Sequence, residues 1–333
     1  MKVRAITIFL PNVNKEELDR TEELLFRLQD KTWSIRISFP PNINMPVNKL
    51  IELDDSEVIS YGMLHLTADR LKDNMNNVID YLKGAPNLFS SVLLNDPSYI
   101  SDVAKFIVKL EPNEAWRFSI LVNDDFLVTP YFPAGSANVK EKSFAISLIY
   151  VNDYYNGLGA EALRKANDIG KEIENKYKIK YLGIDPSLSP WLSESVGRVI
   201  EERSKSRLFS PSNLWEVYRI NQDIRDMSRI ANINSIGFSE VMLPIAEDNV
   251  LFERVKEGSL KLYDLVSLTQ VCVAGLDMVG IEPDEAFISV LLKDLYAIQK
   301  VKMRPYGIRL IPQSEDITNL SNIGLRVPKV KTK

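Results

Sequence analysis

KYLGIDPSLSPWLSESVGRVIEE, residues 180–202, decides the fold class of this chain. Residues 180–184 form a short apolar run bounded by turn residues, the pattern of a strand buried in a sheet. The turn Asp185-Pro186-Ser187-Leu188-Ser189-Pro190 follows, and residues 191–203 place apolar side chains at helical spacing. A strand that hands over to a helix in so few residues is the unit of an α/β fold. The alternation continues in both directions, with candidate strands at 3–10, 33–39, 58–66, 88–94, 116–122, 143–151, 276–281 and 307–311. Several are nearly continuous apolar runs, as expected where both faces of a parallel sheet are covered. Between them, Asn14 with Glu17 three residues on opens one helix and Asp96-Pro97 another, while 159–178, 214–230 and 285–299 complete the longer ones. No Gly-, Ser- or Pro-rich linker divides the chain. One domain is therefore expected over residues 1–325, with a mobile basic tail at 326–333.

The 333 residues carry 41 Lys and Arg against 45 Asp and Glu, a net charge of −4 with the signs interleaved. That leaves no basic face for nucleic acid, and no DNA or RNA partner is expected. No run of about 18 apolar residues is present for a membrane span, and the opening MKVRAITIFLPN turns polar too soon for a secretory signal. A cytoplasmic protein without a membrane partner is expected. The single cysteine, Cys272, precludes an intrachain disulfide. The single histidine, His65, excludes His-rich metal sites and leaves any Ser-His-Asp mechanism one candidate base. Neither GxxxxGK[ST] nor GxGxxG occurs, and GLGAEA at 157–162 reads as a helix start because it ends in alanine and begins several residues after its strand.

Three stretches carry a family likeness: GFSEVMLPIAEDNVLFERVKEGSLKLYDLVSLTQVCVAGLDMVGI at 237–281, GIDPSLSPWLSESVGRVIEE at 183–202 and MRPYGIRLIP at 303–312. Through them the chain resembles the uncharacterised proteins gathered as domain of unknown function 711, over nearly its whole length. The resemblance implies a ten-stranded α/β barrel related to those of pyruvate formate-lyase and the ribonucleotide reductases. Nine strands are visible in the sequence, and residues 240–245 supply a tenth, although Pro244 there argues for an edge or a loop. The alternation by itself also fits an open doubly wound sheet. The radical chemistry of those enzymes does not carry over. Cys272 shares an apolar helical pattern with Leu262, Leu265, Val266 and Thr269, no second cysteine is present as reductant, and Arg304-Pro305-Tyr306-Gly307 departs from the glycyl-radical context at Pro305.

Ligands in α/β folds bind beyond the carboxyl ends of strands, where Asp185 stands. Ser189 and Pro190 read as N-cap and first helical residue, which leaves amides suited to an anion, with Ser187 beside them. Plain turn capping by Asp185 and the serines is the competing account. Glu240 leads into the apolar stretch 241–246, with Glu247 and Asp248 at its far end, and an N-cap or solvent exposure accounts for Asp248. Asp277 interrupts another apolar run, and a buried salt bridge to Arg309 is its structural account. A carboxylate in such surroundings is unfavourable unless paired, protonated or metal-bound. Asp185, Glu240 and Asp277 are therefore expected around one cavity as acid/base groups, with Arg309 as charge partner. Asp185 and Glu240 are also candidate oxygen ligands for a divalent cation, Mg²⁺, Mn²⁺ or Ca²⁺. Tyr131, in Thr129-Pro130-Tyr131-Phe132-Pro133-Ala134, either lines a pocket mouth or packs in a structural turn, and His65 reads as a satisfied core residue.

Two functional readings follow. One is a non-radical acid/base or metal-assisted enzyme acting on a small anionic metabolite in the barrel mouth. The other is a non-catalytic ligand-binding or assembly protein on the same barrel. The low glycine content favours the second, as does Ser210-Pro211-Ser212-Asn213, where the resemblance implies glycine and threonine in bacterial relatives. Self-association into a homo-oligomer is left open. If Cys272 only packs, Cys272→Ala should cost on the order of 1 kcal/mol in urea unfolding and leave ligand binding intact. Loss of binding at unchanged stability would restore cysteine chemistry.

Overall fold

Leu88–Leu94 is buried at every position, and so is Ser143–Ile149, so these strands need cover on both faces. The computed structural model describes residues 1–332 and shows how that cover is supplied. Seven strands lead the chain: β1 (Lys2–Phe9), β2 (Ser34–Ser38), β3 (Ile59–Thr67), β4 (Leu88–Leu94), β5 (Phe118–Val122), β6 (Ser143–Ile149) and β7 (Lys180–Asp185). Shorter ones follow: β8 (Met242–Pro244), β9 (Ala274–Asp277), β10 (Val279–Ile281), β11 (Tyr306–Ile308), β12 (Leu310–Pro312), β13 (Ile317–Leu320) and β14 (Leu325–Pro328). Eight strands form one curled sheet in the order β11-β5-β4-β3-β2-β1-β6-β7. The chain is thus α/β, with helices between most strands.

The sheet is mixed rather than wholly parallel. β1 to β5 are mutually parallel, but β6 meets β1 and β11 meets β5 antiparallel, while β7 runs parallel to β6. Parallel neighbours need a crossover, usually helical. No helix lies within residues 123–142, between β5 and β6. That connection instead folds back against β1 and β2: Thr7 Oγ1 and Arg36 Nη1 donate to the carbonyl of Pro130 (3.2 and 3.0 Å), and the Ala137 N–H donates to Phe39 O (2.9 Å).

Segment 234–244 lies along β7. Ile184 N–H donates to Asn234 O (3.0 Å), Ile236 N–H to Ile184 O (2.9 Å) and Leu188 N–H to Glu240 O (3.2 Å). Gly183, at φ 129°, permits the approach, because a Cβ there would stand 2.1 Å from Asn234 O. The strand expected at 240–245 is present as β8, which pairs parallel with β9 and ends at Pro244, where the missing N–H is not needed for the ladder. The strands expected at 276–281 and 307–311 are each broken in two, at Met278 (φ 56°) and at Arg309. Each half has its own partner: β9 pairs with β8 and β11 with β5, whereas β10 and β12 pair with each other.

The helix expected from residue 191 begins at Val196, since Ser195, not Ser189, caps it by accepting from the Arg198 N–H. Residues 326–330, expected in a mobile tail, are built into the fold: β14 pairs antiparallel with β13, Val330 is buried, and its N–H donates to Gly280 O (2.8 Å). Lys333 lies outside the described residues. Among the described residues, no helix is long and apolar enough to cross a membrane.

His65, on β3, is fully buried, with Nε2 at 2.9 Å from Gly62 O and Nδ1 at 2.8 Å from Ser91 Oγ. A carbonyl only accepts, so Nε2 carries the proton. Burial lowers the imidazole from its ordinary 6.5 to about 4, opposed by the Gly62 carbonyl. The unfolded histidine gains a proton below pH ~6.5 and the folded one does not until about 4, so stability present above that window should drain by up to about 3 kcal/mol as pH falls through it. Urea titrations at stepped pH should show this slope flattened in His65→Gln. An unchanged slope would mean that the histidine takes up its proton alike in the folded and unfolded states.

Candidate functional site

Where the two C-terminal strands break, their charged residues are turned toward each other. Arg309 N–H donates to Leu276 O (3.0 Å) and Val279 N–H to Arg309 O (3.1 Å), which locks the two breaks side by side. The Arg309 guanidinium then holds both oxygens of Asp277, through Nε to Oδ1 and through Nη2 to Oδ2 at 2.9 Å. The same Nη2 reaches Glu247 Oε1 at 3.0 Å, and the other oxygen of Glu247 accepts from Arg4 Nη2 at 2.6 Å. Arg4 comes from β1, and its Nη1 donates to Ser189 Oγ at 2.6 Å. A continuous chain of four charges, Asp277-Arg309-Glu247-Arg4, therefore runs across the interior, with every member less than one tenth exposed.

Beside this chain lies a cavity of about 50 Å³, lined among others by Arg4, Arg36, Ser119, Tyr131, Ser189, Glu247, Asp277 and Arg309. That is room for a few waters or an ion of a few heavy atoms. Three guanidiniums face two carboxylates, which leaves one positive charge over. The surplus sits on Arg36, which donates to Ser34 Oγ (2.9 Å) and Pro130 O (3.0 Å) and lies over the Phe132 ring, with no carboxylate among its contacts. Burial and the neighbouring Arg4 push Arg36 down to about 9. Ser119 Oγ and Arg4 Nε are both buried without a hydrogen-bond partner.

The two carboxylates are driven apart. Burial disfavours the charge of Glu247, but Arg4 and Arg309 outweigh it and hold the group well below the usual carboxylate range. Asp277 is raised, because burial and the nearby negative Glu247 together exceed the help from Arg309. Tyr131 is pushed up by burial and by Asp185 and stays protonated.

A family profile described as Uncharacterised ACR (DUF711) matches residues 150–316, half of the chain. The chain belongs to this family. Within the DUF711 match lie Ser189, Glu247, Asp277 and Arg309, whereas Arg4, Arg36, Ser119 and Tyr131 precede it, so the cavity is built from both parts. Among relatives, the chain is 23% identical to a UPF0210 protein of Pyrobaculum aerophilum over 257 residues, 69% of this chain and 57% of that protein. It is 28% identical to a UPF0210 protein of Methanosarcina acetivorans over 153 residues, 45% of this chain and 33% of that protein. A UPF0210 protein of Bifidobacterium adolescentis shares 28% identity over 161 residues, 47% of this chain and 36% of that protein. The chain thus spans little more than half the length of the first of these DUF711 relatives, and less of the others.

Of the residues singled out in the sequence, Asp277, Arg309, Ser189 and Tyr131 are brought to the cavity, and Asp185, Ser187 and Glu240 are not among its lining. Asp185 is fully buried and accepts from Thr129 Oγ1 (2.7 Å), Ser187 Oγ (2.6 Å) and the N–H groups of Ser187, Phe238 and Ser239 (3.1, 2.9 and 3.0 Å). Gly237, at φ 67°, leaves room for it, since a Cβ would stand 2.1 Å from its Oδ2. Glu240 pairs with Lys302 (2.8 Å) and Arg304 (3.3 Å). Both carboxylates thus face donors, surroundings that do not fit the hard cation for which they are candidate ligands. The expected convergence of all three acids corrects to Asp277 with Glu247. Ser189 does not open a helix, because its hydroxyl accepts from Arg4 and the N-cap falls to Ser195. Asp248 is buried, not exposed, and accepts from Val250 and Leu251 N–H (2.9 and 3.2 Å) as the N-cap of the next helix.

Arg4 and Arg36 are not among the candidates read from the sequence, and the one local signal for them is that each is flanked on both sides by apolar residues within its strand, in KVRAITIF and SIRIS. Their carboxylate or carbonyl partners lie far along the chain, which sequence spacing does not reveal. Arg309→Met should cost about 3 to 5 kcal/mol in urea unfolding, because it leaves Asp277 and Glu247 buried beside each other without the shared cation. A loss below about 1 kcal/mol would show that the two carboxylates are not held as buried charges.

Proposed function

We propose that this protein binds a small oxyanion, a carboxylate or phosphate of few heavy atoms, in the cavity beneath Arg4, Arg36 and Arg309. The carrying observation is the surplus cation: Arg36 has no carboxylate among its contacts in a cavity where Ser119 Oγ and Arg4 Nε are also buried without partners. Buried polar groups without partners are costly, and an anion that accepts from them removes that cost. Arginine forks suit carboxylate and phosphate oxygens in pairs.

The finer chemistry rests on the split between the two acids. Glu247 stays ionised and fixes both guanidiniums, while Asp277 has the raised proton affinity and takes a proton from the ligand or returns one to it. The container for this chemistry is proposed to be a ten-stranded barrel of the pyruvate formate-lyase kind. Segment 234–244 along β7, β8 against β9, and the Gly307 N–H donating to Val273 O (3.2 Å) would together join the two edges of the curled sheet. The rival reading, a binding protein without catalysis, is favoured by the bidentate hold of Arg309 on Asp277, which suits a structural pair.

Thermal unfolding with acetate, sulfate and phosphate tests the reading. An anion at about 100 times its dissociation constant should add roughly 2.7 kcal/mol. Arg36→Met should abolish the acetate shift, and Asp277→Asn should retain it while removing any turnover. No shift in the wild type with any of the three, or an acetate shift that is equal in Arg36→Met, would defeat the proposal.

A further inference from the structure

On the outer side of the Asp185 turn lies an open groove of about 710 Å³, within the range of small-molecule sites. Its lining carries three guanidiniums, Arg225, Arg229 and Arg304, and two half-buried apolar side chains, Ile233 and Ile236, with Pro186 and Ile224 buried behind them. Arg225 and Arg229 are four residues apart on the helix Asn213–Ala231 and share one of its faces. Like charges so placed repel, and the third cation, Arg304, comes from another segment, just past the helix Glu285–Lys302. Two of the three have partial compensation. Arg229 pairs with the exposed Asp226, and Arg304 is anchored by Glu240 Oε1 (3.3 Å) and by donating to Phe238 O (2.7 Å). Arg225 forms no ion pair among the described residues. In a chain of net charge −4, this is a local concentration of positive charge over an apolar surface.

The groove is separate from the inner cavity. The turn Gly237-Phe238-Ser239, pinned by Asp185, stands between them: Gly237 and Ser239 line the groove and Phe238 lines the cavity. The volumes differ more than tenfold, so the two spaces select ligands of different size.

We propose that this groove is a binding site for a soluble organic phosphate monoester. Its phosphate is held by Arg225, Arg229 and Arg304, and its apolar or aromatic body lies on the half-buried Ile233 and Ile236. Phosphate carries up to two charges and three acceptor oxygens, which matches guanidiniums arriving from two segments, and the two isoleucines add area that inorganic phosphate leaves unused. The body of such an ester does not fit a cavity of about 50 Å³, so its binding reports on the groove alone.

The test is isothermal titration of the full chain with phenyl phosphate and with inorganic phosphate. Phenyl phosphate should bind the tighter of the two, with an affinity that falls as salt is raised. Arg225→Glu and Arg229→Glu, both exposed and away from the core, should each weaken it at least tenfold with unchanged unfolding midpoints, and Arg36→Met should leave it unaltered. No heat with the wild type, affinities within twofold in both charge reversals, or a loss confined to Arg36→Met would overturn the site. Co-sedimentation with phosphatidic acid vesicles that phenyl phosphate does not reverse would overturn the soluble ligand in favour of a lipid headgroup. Because the inner-site proposal is decided by the acetate shift in Arg36→Met and the groove by phenyl phosphate in the two charge reversals, either proposal can fail without the other.

Discussion

The carboxylate of Glu247 stands between two guanidiniums from opposite ends of the chain, and the interior is arranged around that contact. Arg4 is on the first strand and Arg309 between two of the later short ones, so one side chain, Glu247, ties the start of the sequence to its last part. Taking charges out of water is expensive, and each member of the chain is tolerable only because its neighbours are present. Replacement of the whole set by apolar groups would not harm packing on energetic grounds alone. Stability alone therefore does not account for a charged chain beside a cavity, and the proposed anion site would give it a role.

A second fixed point is Asp185. Five donors converge on it, and they come from the turn after β7, from the β5–β6 connection and from the turn at 237–239. Its burial raises its proton affinity against the pull of those hydrogen bonds, so the group is a fastener under load more than a reagent. The position beyond a strand's carboxyl end, which marks sites in many α/β folds, here marks the joint that shapes the site's wall.

Much of the architecture is readable because each of the first seven strands is short, rich in apolar and β-branched residues and bounded by turn or helical patterns, a signal that depends only on local composition. The breaks at Met278 and Arg309 were not readable, since what interrupts those strands is a change of pairing partner. The helix after Asp185 was started too early because Ser189-Pro190 has the local chemistry of a cap, and only the structure shows the hydroxyl claimed by Arg4 from β1. At the site, the pairing of Asp277 with Arg309 followed from two charged residues inside apolar runs. Glu240 showed the same signal and proved to belong to a different ion group, with Lys302 and Arg304. An interrupted strand tells that a charge is buried, not with whom.

The antiparallel seam between β5 and β11 has a consequence for synthesis. β1 to β5 are neighbours in both sequence and sheet, so they can pair as they emerge. The open side of β5, however, is covered by a strand that begins about 180 residues later. At ordinary translation rates that edge, Phe-Ser-Ile-Leu-Val, stands uncovered for on the order of 10 to 40 s. An apolar unpaired edge invites pairing with other chains. The nascent protein thus passes through an interval in which that edge is open to pairing with other chains, and truncation anywhere before residue 306 would make that interval permanent.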